Sequence, residues 1–105
     1  MATKEQKIDL KSMKSAADAA CLLMKVLNHR DRLMLLCEIS QGEKCVGQLE
    51  EILDLHQPML SQHLTRLRVA KLVNTRREGK QIFYSLGSES ALAVIEVLYQ
   101  QFSKK

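Results

Sequence analysis

Apolar residues recur along most of this chain at intervals of three and four, and then, over one short stretch, at intervals of two. Residues 13–27 (MKSAADAACLLMKVL) carry Ala and Leu at helical spacing, which predicts a first helix. Asn28 is the expected cap of a second helix, with Asp31 near its positive end. That helix spans 31–39, with Leu33, Leu36 and Cys37 on one stripe. After a QGEK turn, Cys45-Val-Gly-Gln48 has the form of a capping box with cysteine in the serine place, and it opens a third helix from Val46 to Leu53. Asp54-Leu-His56 is the next turn. A fourth helix is expected from Gln57 to about Ala70, with Pro58 tolerated in its first turn and Leu60, Leu64 and Leu67 as its core stripe. The period then changes to two. Residues 72–76 and 81–85 read as strands joined by a turn at Glu78-Gly79, where glycine supplies a left-handed residue. Ser88 caps a last helix whose apolar residues are Leu92, Ile95, Leu98, Tyr99 and Phe102.

The expected order is therefore α-α-α-α-β-β-α. This is a mostly α fold with a small β-hairpin, a winged helix-turn-helix. At 105 residues the chain makes one domain. Residues 1–12, polar and Lys-rich, are expected to be a flexible N-terminus, and 13–105 the winged-helix domain with its dimerisation elements. Hydrophobic residues at 46% allow a packed core and exclude a disordered chain. A core this small would be extended by dimerisation.

Charge adds a location. The net charge is +4, but His56 to Lys80 holds six cations and one acid. That segment is strongly basic and the remainder nearly neutral, which implies a polyanion-binding face. Three cysteines form no even disulfide framework and suit a reducing compartment. The start has no apolar signal segment and no run approaches membrane-spanning length, so a cytoplasmic protein is expected.

With the leucine stripe of the fourth helix set to the core, Gln62 points outward, flanked by Ser61, Thr65 and Arg66, with Gln57 and Pro58 at the N-terminal tip. A recognition helix enters the major groove with that half. Gln, Ser and His side chains suit base edges, and Arg suits guanine or phosphate. An ordinary amphipathic surface helix has the same pattern. The hairpin shifts the balance: Arg76, Arg77 and Lys80 surround a tight turn, where long cations reach phosphates or a minor groove, though charges also protect an exposed strand edge. No nucleophile–base pair, phosphate-binding glycine loop or carboxylate dyad marks an enzyme.

The runs VLNHRDRLMLLCEI, CVGQL, LSQHLTRLRVAKLV and TRREGKQIFYSL together resemble the ArsR/SmtB family of bacterial repressors, over roughly residues 15–103. The resemblance implies a homodimer joined through the first and last helices, bound to an imperfect palindrome in double-stranded operator DNA and released by an inducer. By matching positions, Gln57, Ser61, Gln62 and His63 fall where the family's recognition helix touches DNA, and Arg76, Arg77 and Lys80 fall in its wing. His56 departs from the serine common at that helix start.

Two familiar metal sites of the family are incomplete. Cys45-Val46-Gly47 lacks the second thiol of a Cys-Val-Cys pair, and the places on the last helix fall near Ser88, Ser90, Gln101 and Lys104. Zinc wants three or four good ligands, so no metal site is expected, and His29, His56 and His63 read as scattered turn and DNA-face residues. VLNHRDRLMLLCEI and ALAVIEVLYQQF resemble the branch containing BigR, SqrR and HlyU, which senses reactive sulfur species or oxidants. That branch uses a cysteine on the second helix, matched here by Cys37, and one near the chain end, matched by Ser103. A serine cannot bridge, so either the switch is lost or a cysteine has been replaced there. Cys37 reads equally as a reactive thiol or a small buried apolar residue. The alternative to thiol sensing is a metal-responsive or switch-less regulator. Cys21 is expected to pack in the core or a dimer, and Cys45 to occupy a cap position.

Overall fold

The structure is a computed structural model and describes residues 9–103. Helix α1 spans Leu10–Leu27, α2 Arg30–Ser40, β1 Lys44–Cys45, α3 Val46–Leu53, α4 Met59–Val69, β2 Val73–Glu78, β3 Gln81–Leu86 and α5 Glu89–Phe102. This is the expected winged helix with one added element. Strand β1 pairs antiparallel with β3, Lys44 opposite Tyr84 and Cys45 opposite Phe83. The sheet order is β1-β3-β2, which leaves β2 outermost. Two residues carry no periodicity, so β1 exists only because β3 presents an edge to it.

Helix α1 starts earlier than expected. Asp9 accepts a hydrogen bond from the Ser12 amide at 2.6 Å and caps the helix, so residues 10–12 of the expected flexible segment are helical. The rest of that segment, residues 1–8, lies outside the described residues, as do 104 and 105. Of α1 only Leu27 is buried, while Leu10, Met13, Leu22 and Met24 face outward. Cys21 is exposed as well, so it packs in no core of the single chain. The radius of gyration, 15.8 Å, exceeds the roughly 13 Å typical of a 100-residue domain, as an extended first helix would produce.

Asn28 is the C-cap residue of α1, and His29 caps α2 instead, its Nδ1 accepting from the Asp31 amide at 3.1 Å. Helix α2 is rotated relative to the expected stripe. Leu35, Leu36 and Ile39 are buried with Arg32, and Leu33 and Cys37 are half-buried. The core joins those leucines to Leu27, Leu49, Leu60, Leu64, Leu67, Leu72, Val73, Ala91 and Ile95. Helices α2, α3, α4 and α5 thus share one apolar centre, from which α4 presents its other face to solvent.

Helix ends follow their local chemistry. The Cys45 amide donates to Gln48 Oε1 at 2.9 Å within the expected capping box, and Ser88 Oγ accepts from the Ala91 amide at 3.1 Å. Helix α4 closes with the Leu72 amide on Leu67 O and the Lys71 amide on Arg68 O, both 2.9 Å. This motif requires a left-handed residue, and Lys71 supplies it at φ 64°. In the wing, Glu78 pairs with Gln81 around a two-residue turn in which Gly79 has φ 65°.

Candidate nucleic-acid interface

Helix α4 is anchored by Leu60, Leu64 and Leu67, each at most 1% exposed. That fixes the direction of the opposite face. Gln57, Ser61, Gln62, Thr65, Arg66 and Arg68 are all exposed. At the N-terminal tip, Ser61 Oγ donates to Gln57 Oε1 at 2.9 Å, which holds the glutamine side chain along the helix with its amide N–H groups free of that bond. Gln57, Ser61 and Lys80 border one open cleft of about 240 Å³. The tip of α4 and the wing turn therefore stand side by side, although Ser61 and Lys80 are 19 positions apart in sequence.

His63 corrects the sequence reading. It is 5% exposed and packs inward against α2 rather than facing solvent, so its ring is unavailable to a base edge. The spacing 60, 63, 64, 67 is itself a core stripe and was the signal for this placement. Nor are His29 and His63 scattered, although His56 stays exposed in its turn. The His29 and His63 rings lie 4.4 Å apart by centroid, and Asp31 completes a group whose donor atoms all lie within 4.8 Å. Arg32, also buried, donates through Nε to Val26 O at 2.6 Å and through Nη1 to His63 Nδ1 at 3.4 Å. An arginine only donates, so His63 Nδ1 accepts and the neutral ring carries its proton on Nε2. That Nε2 has no hydrogen-bond partner and stands 3.8 Å from Asp31 Oδ2. His29 Nδ1 is likewise committed, to the α2 cap. As they stand, the two imidazoles offer a metal no lone pair, and a buried guanidinium adjoins them. The group is instead a polar clasp between α2 and α4. Burial, then the His29 ring and Arg32, holds the His63 pKa below its ordinary value.

The wing cations differ from one another. Arg76 Nε and Nη2 donate to the two oxygens of Glu43 at 2.8 and 2.9 Å, and its Nη1 donates to Glu78 at 2.9 Å. Its guanidinium carbon also sits 4.7 Å over the Phe83 ring. These carboxylates raise the Arg76 pKa further above its already high value. Arg77 and Lys80 are exposed and form no ion pair among the described residues.

Cys37 and Ser103 meet at a second feature. Both line an apolar groove of about 420 Å³ between α2 and α5, with Leu33, Ile95, Leu98, Tyr99 and Phe102. It adjoins a further hollow of about 410 Å³ that Cys37 shares with Ser40, Gln41 and Glu96. Cys37 is half-buried, and burial with the neighbouring Glu38 charge pushes its thiol up. Cys45 is buried at the α3 cap, and no second sulfur is near it in sequence.

This arrangement has close counterparts. Residues 29–75 match the family described as bacterial regulatory protein, arsR family. A biofilm growth-associated repressor of Agrobacterium fabrum is 50% identical over 95 residues, 90% of this chain and 81% of the relative. The chain belongs to the arsR family. The transcriptional activator HlyU of Vibrio cholerae is 39% identical over 90% of this chain and 88% of its own. Among solved structures, the repressor BigR of Xylella fastidiosa superimposes with a TM-score of 0.86 at 40% identity, covering 93% of this chain and all of that one. Reduced HlyU of Vibrio cholerae superimposes at 0.85 and 39%, over 90% of this chain and all of that one. This arsR-family chain is accordingly a winged-helix transcriptional regulator, and not an enzyme. No helix among its described residues is long and apolar enough to cross a membrane.

Proposed function

We propose that this arsR-family regulator is a homodimeric repressor that binds a palindromic operator through α4 and the wing. The observation that carries the reading is the polar tip of α4, with Gln57, Ser61 and Gln62 exposed above a fully buried leucine stripe and Lys80 across one cleft. Gln62, Ser61 and Gln57 read base edges; Arg66, Arg77 and Lys80 neutralise phosphates. The outward apolar residues of α1, together with Val97, Tyr99 and Phe102 on α5, supply the dimer contact; Phe102 is 81% exposed on the single chain. A two-fold pair then sets two recognition helices about one DNA turn apart. The test is a titration with fragments of the chain's own promoter over a range of salt. Specific binding with a steep log–log salt slope is expected; a constant insensitive to salt would refute the phosphate contacts.

The inducer is a reactive sulfur species or oxidant acting at Cys37. Its thiolate attacks a sulfane sulfur, the remaining polysulfide leaves, and a persulfide is left on the α2 side of the groove. The groove shared with Ser103 supports this site, and the similar HlyU structure is described as reduced, a word that refers to a redox state. A second reading, regulation without a thiol switch, is favoured by the raised Cys37 pKa and the absence of sulfur at Ser103. Mass spectrometry after polysulfide treatment separates them. An adduct on Cys37 with loss of operator binding supports the switch, and unmodified Cys37 with unchanged binding supports the second reading. Ser103→Cys is expected to add a bridge to Cys37.

A further inference from the structure

We infer that Arg76 is a positioning residue, a strut that sets the angle of the wing, and that it is not one of the cations that touch DNA. The inference rests on the operator-binding reading above and refines it. Each of the three guanidinium nitrogens of Arg76 donates to a carboxylate, at 2.8 to 2.9 Å. Two of those bonds run in the bidentate fork to Glu43, which lies in the turn between α2 and β1, 33 positions away. The third reaches Glu78 on the same face of β2, because alternate residues of a strand share a face. Beneath the guanidinium lies Phe83, the cross-strand partner of Arg76 on β3. One side chain therefore ties both strands of the wing to the turn between α2 and β1.

Electrostatics at this point oppose a phosphate. Arg76, Glu43 and Glu78 together carry a net negative charge, so a phosphate oxygen drawn toward Arg76 meets two carboxylates that already hold it. Arg77 faces the other side of β2, and Lys80 stands at the turn beside Gln57 and Ser61. Neither has a carboxylate partner among the described residues. These two are the wing's phosphate ligands. Exposed ion pairs add little to overall stability. The strut's effect is accordingly on where Arg77 and Lys80 stand relative to α4.

The two roles give opposite signs for one substitution. Glu43→Gln removes a negative charge from the DNA-facing side of a positively charged protein. If Arg76 contacted phosphate, freeing it would tighten binding. If Arg76 is a strut, the same change releases the wing and weakens binding, by roughly tenfold for a coupling in the middle of the usual range for contacting residues. The experiment measures affinity of the full chain for a promoter fragment against salt for Glu43→Gln, Arg76→Ala, Arg77→Ala and Lys80→Ala. Melting temperature is recorded for each. Expected are weaker binding with an unchanged salt slope for Glu43→Gln and Arg76→Ala, and slopes reduced by about 0.9 for Arg77→Ala and for Lys80→Ala. The exchanged pair, Glu43→Arg with Arg76→Glu, is expected to regain affinity over either single change. Unchanged or tighter binding by Glu43→Gln, or a reduced slope for Arg76→Ala, overturns the strut. Unchanged slopes for both Arg77→Ala and Lys80→Ala refute the wing contacts of the operator-binding reading itself, a separate result.

Discussion

Two residues of α4, two positions apart, are expected to fail in opposite ways when cut to alanine. Leu64 is 1% exposed and faces the shared core; Gln62 is exposed on the opposite side. Leu64→Ala removes three carbons, worth about 2.4 kcal/mol at roughly 0.8 kcal/mol per buried methylene. The cavity left behind raises that to about 3–4 kcal/mol, because neighbouring leucines relax only in part. At about 4–8 °C per kcal/mol for a domain near this size, the melting temperature should fall by about 15–25 °C. Gln62→Ala disturbs no packing and should stay within about 0.5 kcal/mol of wild type. It does remove a side chain able to bind one base edge twice, so operator affinity should fall about 5- to 150-fold, the equivalent of roughly 1–3 kcal/mol. Thermal unfolding by circular dichroism and fluorescence anisotropy on a labelled promoter fragment, at fixed salt and protein concentration, measure both quantities. A melting temperature for Gln62→Ala that drops as far as that of Leu64→Ala, or operator affinity untouched by Gln62→Ala, would refute the assignment of the two faces.

Acidification should loosen the α2–α4 clasp. Unfolded histidine titrates near 6.5 and burial holds His63 below that, so the native state favours the neutral ring. Its stabilising contribution is complete above pH 6.5 and is lost as pH falls through the folded pKa; urea midpoints at pH 7.5 and 5.5 should show the loss, and His63→Gln should shrink it. Cys37, held above its ordinary 9.0, should alkylate at pH 7 more slowly in the native protein than in urea, as timed iodoacetamide labelling would show. Lys71→Gly should stabilise the fold by about 1 kcal/mol, read as a higher melting temperature, because glycine adopts the left-handed conformation without the lysine's steric cost.

The helices were legible because each carries several leucines at a spacing only a helix turns to one side, and the hairpin because its period changes beside Gly79. The caps were less so. Asn28 and His29 are both polar, and only the structure shows which one's side chain meets the Asp31 amide. His63 was misplaced because its polarity outweighed its position on the Leu60–Leu67 stripe. Glu43 carries no signal in the sequence. Its partner Arg76 is remote in sequence, and the two meet only after β1 docks on β3. The outward apolar residues of α1 read as helix from their spacing, but spacing does not distinguish a face that enters the core from one left exposed on the single chain.

The outermost position of β2 has a consequence for behaviour in concentrated solution. A strand with a bare flank is a template on which a stranger's backbone can add and propagate into fibres. Here that strand carries Arg76 and Glu78, paired with each other, and Arg77, unpaired among the described residues, all exposed. An incoming strand would have to strip water from those charged groups before gaining its first hydrogen bond, so the charged flank guards the protein against aggregation.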